Sequence, residues 1–110
     1  MLHRLAPLAF AIAPLAWAVP AAAQISDEWS AEKCRLYGKA WDAAIASFGT
    51  DGIGSAFFGN HQAFLASNCT NPHNVCPISP REIELANLLT VMSMNEGMAS
   101  TFVPFACPRD

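Results

Sequence analysis

Apolar residues recur at three- and four-residue steps over residues 27–48, where Trp29, Leu36, Tyr37, Ala40, Trp41, Ala44, Ile45 and Phe48 form one stripe. Glu28, Glu32, Lys39 and Asp42 fall largely off that stripe, as an amphipathic helix requires. Ser26 is the expected N-cap, with Asp27 and Glu28 in a first turn that favours negative charge. Gly49 stops the helix, and Gly49-Thr50-Asp51-Gly52 is a turn. A second helix, capped by Asp51 or Ser55, is expected to run to about Ser67 on Ile53, Phe57, Phe58, Phe64 and Leu65. Gly54 and Gly59 weaken it and permit close approach to the first helix. Residues 68–77 read as a loop.

Ser79-Pro80-Arg81-Glu82 is a capping box with proline at N1, in which serine and glutamate each bond the other's backbone amide. Ile78 and Ile83 stand at the positions of a hydrophobic staple. A third helix therefore starts here and runs to Glu96 or beyond, with Ala86, Leu88, Leu89 and Met92 among its inward residues. Gly97 ends or bends it, and Pro104 stops any helix. No strand pair is apparent. The expected fold is all-α, a three- to four-helix bundle.

The N-terminal stretch changes the domain count. Residues 1–23 read as a secretory signal peptide: Arg4 supplies positive charge, residues 5–19 are apolar, and Ala21-Ala22-Ala23 provides small residues before a cut at Gln24. A retained membrane anchor is the alternative, opposed by Pro7, Pro14 and Pro20 and by an apolar run shorter than the roughly 20 residues a span needs. Residues 24–110 then form one domain of 87 residues, with five basic against nine acidic residues and a net charge of −4. That balance, with no basic cluster, excludes a nucleic-acid footprint. No membrane span is expected in the mature chain, and the Ala/Pro-rich leader points to a bacterial periplasm or the medium.

All four cysteines, Cys34, Cys69, Cys76 and Cys107, follow the expected cut, which reads as two disulfides in a small exported chain. Three connectivities are possible. In a helical hairpin about residues 49–51, Cys34 and Cys69 return to the same level, which favours Cys34–Cys69 and Cys76–Cys107. The second bridge requires the tail to come back along most of the third helix. Cys69-x3-His73-x2-Cys76 matches no common zinc spacing. No Cys-x-x-Cys pair suggests redox catalysis.

Other candidate chemistry is sparse. Met92, Met94 and Met98 are thioethers, soft ligands for Cu(I). Met94 and Met98 share a helix face, but Met92 joins them only if the helix breaks near Gly97; the alternative is flexible core filling. His61 is expected to be a surface or partly buried imidazole and His73 a solvated loop residue. Glu82, Glu84 and Glu96 form no catalytic pair, and no Gly-x-Ser-x-Gly elbow supports a serine hydrolase. Gly52-x-Gly54 is a turn rather than a phosphate cradle. Asn68-Cys69-Thr70 matches a glycosylation sequon by chance. Phe102-Val103-Pro104-Phe105 is too apolar for a free tail. It either packs over the bundle or offers Phe102, Val103 and Phe105 as a docking patch.

Cys34-x-x-Tyr37, Val75-Cys76-Pro77 and Phe105-x-Cys107 give the chain a resemblance to the Rap1a/Tai immunity proteins, small exported helical proteins with disulfides that neutralise type VI secretion effectors. The resemblance covers three short motifs; Cys69 and the spacing of the last two cysteines depart from it. It implies a binding role and carries no functional residue across. The expected function is an exported protein-binding module of inhibitor, immunity or accessory-subunit type, acting without catalysis or cofactor on another exported or periplasmic protein. A periplasmic Cu(I)-binding protein using Met92, Met94 and Met98 is the alternative, and a small hydrolase a distant third.

Overall fold

The computed structural model describes the backbone of residues 21–109 and the side chains of residues 27–109. The leader expected at residues 1–23 lies outside the described residues as far as residue 20. Three helices, α1 (Ala21–Phe48), α2 (Ser55–Ala66) and α3 (Pro80–Asn95), are followed by a 3-10 turn at Ser100–Phe102. No helix among the described residues is long and apolar enough to cross a membrane.

The first helix begins earlier than its capping residue suggests. Ser26 lies inside α1, because the alanines and Gln24 before it are strong helix formers that extend the helix. It stops where expected. Gly49 adopts φ +84° and its amide bonds the Ile45 carbonyl at 2.9 Å, the left-handed close that glycine permits. Arg81 of α3 covers this end: its guanidinium donates to the Phe48 carbonyl at 2.6 Å and lies 3.7 Å above the Phe48 ring. The same side chain leaves no room at Gly52 (φ +80°), where a Cβ would meet Arg81 Cγ at 2.7 Å.

Neither Asp51 nor Ser55 caps α2. Gly54 does, with no side-chain bond of its own, and its amide donates to Glu82 Oε2 at 2.7 Å. The capping box at Ser79 forms as expected, Ser79 accepting from the Glu82 amide at 3.1 Å and Glu82 Oε1 from the Ser79 amide at 3.2 Å. The hydrophobic staple does not form: Ile78 is 77 % exposed and Ile83 45 %. Leu88 is likewise outward, while Leu85, Ala86 and Leu89 face the core. Leu85 and Leu89 are four residues apart on one face, and Leu88 sits about 100° round from Leu89. Gly97, at φ +89°, ends α3 rather than bending it.

The core joins Tyr37, Trp41 and Ala44 of α1, Phe57 and Phe64 of α2, and Leu85 and Leu89 of α3. Met98, Val75 and Val103 close it. Two disulfides hold these layers, Cys34–Cys69 between α1 and the loop after α2, and Cys76–Cys107 between the loop before α3 and the tail. The tail makes its return by reversing at Gly97 and running extended beside the loop: the Val75 amide bonds the Pro104 carbonyl at 3.0 Å, and the Ala106 amide the Val75 carbonyl at 3.1 Å. Val75 and Phe105 form an isolated parallel bridge. A small domain gains stability from such closures that its core alone supplies only marginally.

Candidate functional site

His61 is wholly buried, contrary to the exposed or partly buried imidazole expected. Phe57, His61 and Phe64 stand at steps of four and three residues on α2, so the imidazole shares the face that the phenylalanines bury. That spacing was the signal in the sequence. Trp41 stacks on the ring at 3.8 Å between centroids, and Phe57 and Phe105 lie parallel to it at 6.3 and 6.2 Å. Nε2 shares a 2.7 Å hydrogen bond with the Tyr37 hydroxyl, and Nδ1 has no partner. Burial pulls the imidazole down to about 4 and pushes the Tyr37 phenol well above its ordinary range. The ring is thus neutral near pH 7, and Tyr37 takes whichever donor or acceptor role Nε2 leaves. With no carboxylate on Nδ1, the pair has the form of a core tie rather than a catalytic dyad.

The remaining candidate chemistry is dispersed. His73 is an exposed loop residue, edge-on to Phe64 at 5.2 Å. Glu82 is consumed by backbone amides, and Glu84 lies 3.7 Å from the Arg81 guanidinium on the surface. Cys69 and Cys76 belong to different disulfides, which removes both thiolates from the Cys-His-Cys grouping. No group of three His, Cys, Asp or Glu among the described residues is placed to hold a metal ion. Met92 is half-buried, Met94 is 52 % exposed and Met98 only 4 %, so the three thioethers occupy three different environments. Of the expected docking patch, Val103 is buried, and Phe102 and Phe105 pack half-buried against the core. The tail's apolar surface is used inside the molecule.

What the fold does present outward is Ile78, which sequence reasoning assigned to a staple. It is the most exposed large apolar side chain described, and it is held in place. Its amide donates to Glu82 Oε1 at 2.8 Å, Cys76 two residues before it is bridged to Cys107, and Pro77 precedes it. Two grooves meet at Ile78 and Cys76. One, of about 430 Å³, is lined also by His73, Asn74 and Pro108; the other, of about 370 Å³, by Ser55, Phe57 and Glu82. Glu82 orders both sides of the second groove, accepting from Gly54 on one and from Ile78 and Ser79 on the other. Burial opposes its ionisation, but the amides of Ile78, Gly54 and Ser79 prevail and hold the carboxyl below its usual range. An aliphatic side chain on a braced loop between two recesses is suited to insertion into a partner's apolar pocket, since its backbone has little freedom left to lose on binding.

Comparison of the chain with protein-family models, with curated proteins and with solved structures found no match, so the likeness to immunity proteins rests on its three short motifs alone.

Proposed function

We propose that this chain is an exported protein-binding module of inhibitor, immunity or accessory-subunit type, and that Ile78 is the anchor it offers to another exported or periplasmic protein. The observation that carries this reading is the combination of exposure and restraint at Ile78: 77 % exposed, yet fixed by the Glu82 carboxylate and by the neighbouring Cys76–Cys107 bridge. Burial of one aliphatic side chain supplies about 1.5–3 kcal/mol, enough for a single anchor to dominate a modest interface. The two disulfides suit an oxidising compartment, in keeping with export. The absence of a cofactor and of catalysis remains part of the proposal.

The test is capture from periplasmic extract with three baits: the native chain, Ile78→Asp, and Ala63→Asp at an exposed position on α2. A protein retained by the native bait and by Ala63→Asp, but released by Ile78→Asp, supports the reading. Retention by all three baits, or by none, overturns it.

A further inference from the structure

The outer face of α3 carries a second apolar feature, on the opposite arc from Leu85 and Leu89. Pro80, Ile83, Asn87, Val91 and Met94 are all exposed, with 45 % of Ile83, 54 % of Val91 and 52 % of Met94 open. They fall within about 80° of helix circumference, and Glu84 and Thr90 border them. Their steps of 3, 4, 4 and 3 residues read the same in both directions, and Asn87 is the centre.

We infer that a second copy of this chain docks on this face, its α3 antiparallel to the first and the two-fold axis passing through Asn87. A two-fold contact is isologous, so its stripe must complement itself when reversed. This one does. Ile83 of each copy meets Val91 of the other, Pro80 meets Met94, and Asn87 faces its own equivalent. An amide side chain carries both a donor and an acceptor, so the two Asn87 groups satisfy one another across the axis. One polar residue in an apolar seam fixes register at a cost in affinity, and a slip by one turn would set Asn87 against an apolar side chain. Over 16 residues α3 is about 24 Å long. A contact of that length removes on the order of 1,000 Å² in total, the lower bound for a specific interface, so the dimer is weak and concentration-dependent. Ile78 lies outside the stripe, and the inference does not depend on its role.

Sedimentation velocity on the protein purified from an exporting host, with both disulfides closed, reads the association directly. The expected mass rises from one chain at low micromolar to two at high micromolar concentration. Val91→Glu, at an exposed position where folding is checked by circular dichroism, shifts the midpoint about ten-fold or more upward. Asn87→Cys brings two thiols together on the axis and gives a covalent dimer in air, whereas Asn95→Cys, exposed two turns further along, links far more slowly. A native chain that stays single at high micromolar concentration overturns the inference, as does an association unchanged by Val91→Glu. Equal rates of linkage for the two cysteine variants overturn the register.

Discussion

The Tyr37 hydroxyl and His61 Nε2 lie 2.7 Å apart inside the aromatic core and tie α1 to α2 through a single polar contact. Trp41, Phe57, Phe64 and Phe105 also pack around the imidazole, and Nδ1 has no hydrogen-bond partner. Removing the hydroxyl leaves both ring nitrogens unsatisfied. Tyr37→Phe should therefore cost about 1–3 kcal/mol although it preserves the ring. A urea midpoint within error of the native value would refute the assignment.

The same ring makes the fold acid-sensitive. His61 is held to about 4 in the folded chain against 6.5 unfolded, so the native state binds fewer protons between those values. Its contribution is complete above the unfolded value and declines as pH falls toward the folded one, by about 3 kcal/mol in all. The urea midpoint should fall between pH 7 and pH 4, and His61→Phe should lose much of that slope. Equal slopes in both proteins would assign the acid response elsewhere.

Glu82 accepts from three amides in two segments of the chain, Gly54 before α2 and Ile78 and Ser79 before α3. Glu82→Ala strands them and should cost about 2–4 kcal/mol, with Glu82→Gln recovering part because its carbonyl still accepts. Since the folded carboxyl is held below its usual range, its contribution is present above the ordinary value and is lost as pH falls through the lowered one. Chemical denaturation of the three proteins checks the order: native, Gln, Ala.

Exposure separates the two disulfides. Cys107 is exposed, whereas Cys69 is 6 % exposed and packed in the core. Limited dithiol should open Cys76–Cys107 first, detectable as two alkylated thiols at those positions by mass spectrometry. The bridges close spans of 35 and 31 residues, and in the chain-entropy model each is worth roughly 3.5–4 kcal/mol. Prior opening of Cys34–Cys69 would contradict the burial.

Anaerobic titration of the purified chain with Cu(I) should show no stoichiometric uptake, because Met92, Met94 and Met98 stand in separate environments. One tightly held equivalent, abolished in the double variant Met94→Leu with Met98→Leu, would restore the copper reading.

The readable parts of this fold are those written locally. Ser79-Pro80-Arg81-Glu82 contains both halves of its own capping box, and Gly49 and Gly97 mark helix ends by a conformation that few other residues adopt cheaply. The disulfide arrangement followed from helix rise alone, since a hairpin brings Cys34 and Cys69 level. What stayed hidden depends on distant segments. Gly54 caps α2 with help from Glu82, 28 residues away, and no reading of residues 51–55 contains that carboxylate. The burial of His61 is written in its spacing from Phe57 and Phe64 and not in its residue type, which favours the surface. Position alone pairs Ile78 with Ile83, but the bonded Glu82 and the bridged Cys76 fix the backbone so that its side chain points to solvent. The candidate site was illegible for that reason: both grooves beside Ile78 are walled by the Cys76 bridge, whose place depends on the returning tail.

Phe102 packs edge-on to Tyr37 of α1 and Phe64 of α2, Phe105 stacks beside Phe57 and His61, and Cys107 bridges the segment to Cys76. The tail is therefore structural rather than appended: a chain cut before Phe102 loses the rings that cover Tyr37, Phe57 and Phe64, together with one of its two covalent closures.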